Sequence, residues 1–97
     1  MKHDKAKPDY SLVPPGALEE AVRALTYGAA KYDRENWRQL EHGVDRYFAA
    51  AQRHLWAMRK GETHDPESGL HHAGHAMANI LFLHEHMEMN KHTDVQF

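Results

Sequence analysis

Ten of the 97 residues are histidines, and seven of them lie between His64 and His92. Histidine carries protons and ligates metals near neutral pH. Most surface histidines do neither, so spacing has to select the exceptions. On a helix turning about 100° per residue, His72, His75, Asn79, Phe82 and His86 fall within roughly 80° of one another, beside an apolar face. His72, His75 and Asn79 are therefore expected at a core edge, where residues three apart can share one ligand. The plainer reading is a row of hydrogen-bonded interface residues. His54 lies next to the apolar stripe of the preceding helix, in line with Ala51 and Met58. If the two helices run antiparallel, His54 meets His72 and His75.

Carboxylates accompany these rings. Asp65 and Glu67 belong to the connecting segment, and Glu62 with Asp65 makes a Glu-x-x-Asp pair. Solvated loop acids are the simpler alternative. Two or three imidazoles with one carboxylate suit Mn, Fe, Co, Ni or Zn better than Mg. Such an ion could polarise a phosphoryl oxygen or lower the pKa of bound water. Cationic residues for phosphate are Lys31, Arg46, Arg53 and Lys60, with Lys2, Lys5 and Lys7 at the N-terminus. Arginine forks match phosphate oxygens. Tyr10, Tyr32, Trp37 and Trp56 offer stacking surfaces, though packing is the commoner use of each. There is no glycine-rich phosphate loop, nucleophile elbow or H-E-x-x-H segment.

Three helices must position these groups. The first begins near Pro15, because proline is tolerated in a first turn. Leu18, Val22, Leu25, Ala29 and Tyr32 then recur at helical steps. Asp33 to Gln39 reads as a connection. The second helix runs from about Gly43 to Lys60, with Val44, Phe48, Ala51, Leu55 and Met58 as its apolar stripe and Gly61 as its stop. Asp65-Pro66 has the form of an N-cap followed by a first-turn proline, so the third helix is expected from there to about Met89. Its apolar face is Ala73, Ala76, Met77, Ile80, Leu83 and Met87. Residues 1–14 read as an extended arm and 90–97 as a loose tail. The expected fold is all-α, one domain over 1–97, with the second and third helices an antiparallel hairpin.

Composition narrows the function classes. A chain this short buries only roughly 60–65% of its unfolded surface, which favours completion by homo-oligomerisation, as a dimer or higher. A net charge of -2 makes polymeric nucleic acid or an anionic membrane a poor partner. No cysteine is present, which excludes disulfides, thiolate nucleophiles and zinc–sulfur sites. Met1-Lys2-His3-Asp4 leads into no apolar run, so no signal peptide is expected, and no stretch approaches the ~20 apolar residues of a membrane span.

A longer pattern joins these residues. Lys7-Pro8-Asp9-Tyr10-Ser11-Leu12-Val13-Pro14-Pro15 precedes Leu18-Glu19-Glu20, then Gly28-Ala29-Ala30-Lys31-Tyr32 and Asn36-Trp37. Arg53-His54-Leu55, Gly61-Glu62, Asp65-Pro66-Glu67-Ser68-Gly69-Leu70 and His72, His75-Ala76, Asn79 follow. In this order they resemble the N-terminal domain family of phage dATP/dGTP diphosphohydrolases over about residues 5–86. That family is similar in outline to MazG-like all-α pyrophosphohydrolases, which split a nucleoside triphosphate into monophosphate and pyrophosphate. Those proteins hold divalent ions with Glu-x-x-Glu and Glu-x-x-Asp. Here His54 stands where a glutamate would, and His72-x-x-His75 replaces Glu-x-x-Asp.

The resemblance implies a cytoplasmic protein, in the host cytosol if phage-encoded, that acts on a purine nucleotide of dATP or dGTP type. It implies Glu62, Asp65 and Glu67 as catalytic carboxylates. His54, His72, His75 and Asp65 would hold a divalent ion: Mn, Co, Zn or Mg. Lys7, Lys31, Tyr32, Asn36, Trp37, Arg46, Arg53 and Asn79 would contact substrate. Replacement of the acidic motifs by histidine also admits a protein that sequesters a nucleotide without hydrolysing it. His64-Asp65 leaves a third reading, an HD-type phosphohydrolase.

Overall fold

A computed structural model describes residues 7–91, and these form an all-α unit. Three helices carry it: α1 (Pro15–Lys31), α2 (Gly43–Arg59) and α3 (His72–Asn90). Short 3-10 turns occupy Tyr10–Leu12 and Asn36–Gln39. The arm expected over 1–14 thus contains a turn, in which Asp9 caps Ser11. Residues 1–6 of that arm, and the tail beyond Lys91, lie outside the described residues, while Asn90 still belongs to α3.

Helix α1 starts at Pro15 as its sequence dictates. Pro14 holds the cap position in an extended conformation, and its carbonyl accepts from Leu18 N at 3.1 Å. Helix α2 ends in a Schellman arrangement. Glu62 N donates to Ala57 O and Gly61 N to Met58 O, both at 2.9 Å, and Gly61 takes φ 102. This closure turns the chain sharply and delivers Glu62 beside the start of α3.

Helices α2 and α3 are antiparallel, because early residues of one meet late residues of the other. Gly43 lies against His86, Tyr47 against Phe82, and His54 against His72. Helix α1 packs on the first turns of α3, with Tyr27 edge-on to His75 and the Glu20 backbone directly over Gly74. A Cβ on Gly74 would sit 2.3 Å from the Glu20 carbonyl oxygen, so the glycine sets how closely α1 approaches.

Two expectations are corrected here. The first concerns the start of α3, which is His72 and not Pro66. Residues 65–70 instead form a tight loop: Gly69 N donates to Asp65 O at 2.7 Å, Asp65 N to Leu70 O at 2.8 Å and His72 N to Thr63 O at 2.8 Å. Gly69, at φ 75, is in the left-handed region and ends any helical path from Pro66. The helix cap is His71, whose Nδ1 accepts from Ala73 N at 2.9 Å.

The second concerns the apolar stripes. Among the described residues the buried hydrophobic side chains are all alanines: 21, 24, 51, 76 and 78. Leu18, Val22 and Tyr32 of the α1 stripe are exposed, as are Phe48, Leu55, Ile80 and Met87 of the other two. The physical reason is close helix approach. Alanine and glycine at the crossings let backbones come together, and the bulky side chains are left outside. Each buried methyl contributes only about 0.8 kcal/mol. Much of the apolar surface of this unit therefore remains uncovered.

Candidate functional site

The inner wall of a cleft between α1, the 33–37 connection and the α2–α3 pair carries His54, His72 and His75. Its volume is about 1040 Å³, at the upper end for a small-molecule site. One turn of α2 and the first turn of α3 place three imidazoles together. His54 Nδ1 is 2.8 Å from His72 Nδ1, and the His54 ring stacks on His75 with centroids 4.7 Å apart. His72 is buried, and its Nε2 meets Glu62 Oε1 at 2.7 Å.

These contacts fix protons. An ionised Glu62 only accepts, so His72 carries its proton on Nε2. In the neutral ring Nδ1 is then bare and accepts from His54 Nδ1–H. A neutral His54 in turn has a bare Nε2. A carboxylate thus sets the tautomers of two rings in series.

His75 and Asp65 form the second half of the site. His75 Nε2 is 2.7 Å from Ser68 Oγ and 3.6 Å from Asp65 Oδ2. Ser68 closes the loop on itself, its N and Oγ contacting Asp65 Oδ2 at 3.3 and 3.0 Å, while Leu70 N donates to its Oγ at 3.1 Å. Burial pushes the Asp65 carboxyl up, but hydrogen bonds from Ser68 and from the Glu67 backbone, with the His75 charge, outweigh it and hold Asp65 below its ordinary range. Burial lowers both His54 and His75. The neighbouring imidazoles add to the effect, and Asp65 opposes it in part. Both rings therefore favour the neutral form at pH 7.

Lys31, Tyr32, Asn36, Trp37, Arg53, Glu67 and Asn79 line the same cleft. Lys31 Nζ binds Glu67 Oε2 at 2.8 Å, tying the end of α1 to the 65–70 loop. That hydrogen bond, then one involving Tyr32, raises the Lys31 pKa. Asn79 Nδ2 donates to His75 O at 2.9 Å, within its own helix. Arg46 and Lys7 are exposed and do not line the cleft. His64 is exposed against Thr63 and His71, while Asp65 faces Ser68 and His75, so the two do not act on one point.

Sequence reasoning missed Ser68, Tyr27, Tyr47 and the role of His86. Ser68 had a signal in Ser68-Gly69, a turn dipeptide. The others are cross-element contacts with no local signature.

A divalent ion tests the donor set. In a tetrahedral site with bonds of about 2.0–2.1 Å two ligating nitrogens stand about 3.3 Å apart, so the 2.8 Å His54–His72 hydrogen bond would have to open, with the His54 proton moved to Nε2, to admit an ion. Glu62 behind His72 repeats the carboxylate–histidine support of metal sites. No group of three or more His, Asp or Glu donors converges among the described residues. The donors thus offer an ion at most two nitrogens, with the carboxylates turned to other partners.

Among the described residues no helix is long and apolar enough to cross a membrane. No solved structure matches the chain. A dATP/dGTP diphosphohydrolase of Salmonella phage PMBT28 is 40% identical over 83 residues, which is 86% of this chain. The chain spans 28% of the length of that relative. The family described as "dATP/dGTP diphosphohydrolase, N-terminal" matches residues 1–96. A match over almost the full length, with a relative at this identity, makes the chain a member of that family of N-terminal domains.

Proposed function

We propose that the cleft binds a purine deoxynucleoside triphosphate and hydrolyses it to the monophosphate and pyrophosphate. The observation that carries this reading is the His72–His54 pair beside His75 and Asp65 on the wall of a nucleotide-sized cleft, with Glu62 outside the lining and bonded to His72. The name of the phage relative, dATP/dGTP diphosphohydrolase, supports the substrate class.

In this mechanism Lys31 and Arg53 neutralise the triphosphate, while Tyr32, Asn36, Trp37 and Asn79 bound the nucleoside. Arg46 and Lys7 contribute only at longer range. His54 and His72 would hold a divalent ion (Mn, Co, Zn or Mg), which when bound would supply Lewis-acid neutralisation of phosphoryl oxygens. Glu62 orients His72. His75, kept neutral by burial and flanked by Asp65, takes a proton from the attacking water. The water oxygen bonds to the α-phosphorus, the bond from that phosphorus to the α–β bridging oxygen breaks, and pyrophosphate leaves. Glu67 adjusts the charge of Lys31.

A second reading is nucleotide sequestration without hydrolysis. It is favoured by the way the imidazoles are engaged with one another, with Glu62 and with Ser68. Self-association accompanies either reading, supported by the exposed Phe48, Leu55, Trp56, Ile80 and Leu81. The protein would act in the cytosol, where dNTPs are found.

Incubation with a dNTP panel and Mg, Mn, Co or Zn, with chromatographic product analysis, separates the two readings. Pyrophosphate release that His72→Ala abolishes supports hydrolysis. Tight calorimetric binding with the nucleotide recovered intact supports sequestration, and neither result leaves both readings without support.

A further inference from the structure

Beyond the imidazole cluster, α3 buries one more titratable side chain, His86. Its Nε2 lies 2.7 Å from the Trp37 carbonyl oxygen, 49 residues away in sequence. The carbonyl can only accept, so His86 donates from Nε2–H in any protonation state that makes this bond. The ring is also edge-on to the Trp37 indole at 6.1 Å and tilted against Tyr47 at 5.5 Å. Gly43 makes room for it: a Cβ there would lie 2.3 Å from His86 Nδ1.

Trp37 belongs to a connection held within itself by Asn36 N to Asp33 O, Arg38 N to Glu35 O and the Arg38–Glu35 ion pair. The 3-10 turn Asn36–Gln39 has no side-chain cap. Asp33 at φ 137 and His42 at φ 57 flank it, both non-glycine residues in the left-handed region. Such conformations persist where the surroundings fix them. The contacts that tie this connection to α3 are the Trp37 indole stacked on Phe82, at 4.9 Å and 14°, and the His86 bond to the Trp37 backbone. The Arg38 guanidinium lies over the same indole at 4.6 Å. Ring and backbone of Trp37 are thus held by residues one helical turn apart on α3.

We propose that His86 is a positioning residue that presets Trp37 as the nucleobase wall of the cleft. The proposal rests on the nucleotide reading above. Trp37 lines the cleft together with Phe82 and Tyr47; Phe82 and Arg38 cover its ring, so a base would meet the indole edge, and Tyr47 and Phe82 lie about two helical turns from His54 and His75, whose wall would face the phosphates. A preset aromatic wall favours a nucleotide over bare polyphosphate, because the wall does not have to be ordered on binding. His86 touches no substrate in this scheme, so its loss changes recognition of the base and leaves polyphosphate recognition unchanged.

The test uses a Trp56→Phe background, in which Trp37 is the sole indole. Acrylamide quenching and emission anisotropy of Trp37 are read without ligand, and dATP and inorganic tripolyphosphate are then titrated calorimetrically. His86→Leu is expected to free Trp37, raising its quenching constant, and to weaken dATP binding about 10-fold with tripolyphosphate unchanged. His86→Gln, which keeps an N–H donor, restores both readouts. Gly43→Ala, which displaces the ring, mimics His86→Leu and adds nothing to it in the double variant. Unchanged Trp37 quenching in His86→Leu overturns the positioning role. Equal weakening of dATP and tripolyphosphate overturns the base-wall role. A parent protein that binds neither ligand overturns the nucleotide reading and the base-wall role with it, while the quenching data still decide whether His86 positions Trp37.

Discussion

His54 and His72, eighteen residues apart, face each other Nδ1 to Nδ1 at 2.8 Å, and Glu62 holds the far nitrogen of His72. The pair shares a proton, and in the proposed mechanism it would share a cation instead. Both uses require His72 to present a bare Nδ1, which the Glu62 contact secures. His72→Ala is expected to lower turnover of a purine dNTP at least ~100-fold, the scale of a lost positioned acid–base or ligand group. Glu62→Gln, which can turn either an oxygen or an N–H toward His72, should cost ~10–100-fold, as outer-shell carboxylates do. Steady-state kinetics with both variants, after circular dichroism confirms folding, decides the matter; full activity in His72→Ala would remove His72 from the chemistry, and no turnover by the parent protein would sink the hydrolytic reading.

The depressed pKa values of His54 and His75 make stability depend on pH in the metal-free protein. Above the ordinary histidine value of about 6.5, both states are neutral and stability is flat. Below it the unfolded chain takes up protons that the folded rings refuse, so stability falls with pH until the lower folded values are passed. Asp65 adds a second decline at more acidic pH, because its folded pKa lies below 3.8 and its stabilisation is lost as protons bind. Urea midpoints in the presence of chelator should drop between pH 7.5 and 5.5. His54→Gln should flatten part of that drop, and an unchanged profile in this variant would remove His54 as a cause.

Gly74 offers a packing test. Alanine there drives a Cβ to 2.3 Å from the Glu20 carbonyl oxygen, and that oxygen is backbone, so α1 must move. Overpacking of this kind costs about 1–3 kcal/mol. In a domain of this size each kcal/mol lowers Tm by ~4–8 °C. Since α1 also carries Lys31 and Tyr32 into the cleft, nucleotide affinity should fall along with Tm. Calorimetric melting and binding on Gly74→Ala check both.

The parts of the site that lie on helices were legible because helical rotation is regular. His72, His75, Asn79 and Phe82 share a face by arithmetic alone, and His54 joins them once α2 and α3 pair. The Asp65–Leu70 loop was misread for a physical reason: an aspartate that caps a helix and one that closes a turn accept from the same N–H, three residues on. Here Asp65 accepts from Ser68 N, and Gly69 breaks the path. The α1 stripe was misread because large apolar residues mark a core only when they do the packing. Ala21, Ala24 and Gly74 do it instead. The His86–Trp37 bond spans the chain and has no local signature.

Lys31 separates binding from chemistry. Its ammonium sits at the cleft rim on Glu67 and above the Tyr27 and Tyr32 rings, at 5.8 and 5.2 Å. It is an exposed charge far from the imidazole chain in role, so it should serve ground state and transition state alike. Lys31→Met is then expected to raise KM for a dNTP about 10-fold, with kcat nearly unchanged. A fall in kcat at constant KM would move Lys31 into the chemical step.

Self-association is tested on the outer surface. Leu55 and Phe48 lie seven residues apart on α2, and both are exposed, as is Ile80 on the antiparallel neighbour. Isolated exposed apolar residues are common, but a run of them along a helix pair whose core is alanine leaves hydrophobic stabilisation unrealised. A second copy laid on this face would bury leucine, phenylalanine and isoleucine side chains, each worth roughly 1.5–3 kcal/mol when fully covered. Sedimentation velocity should then show a dimer or larger species that Leu55→Glu converts to monomer, with a lower Tm because the lost burial was intermolecular. Melting of the parent protein should rise with concentration, as for any oligomer coupled to folding. A monomer at all concentrations, equally stable as Leu55→Glu, would assign the face to no copy of this chain.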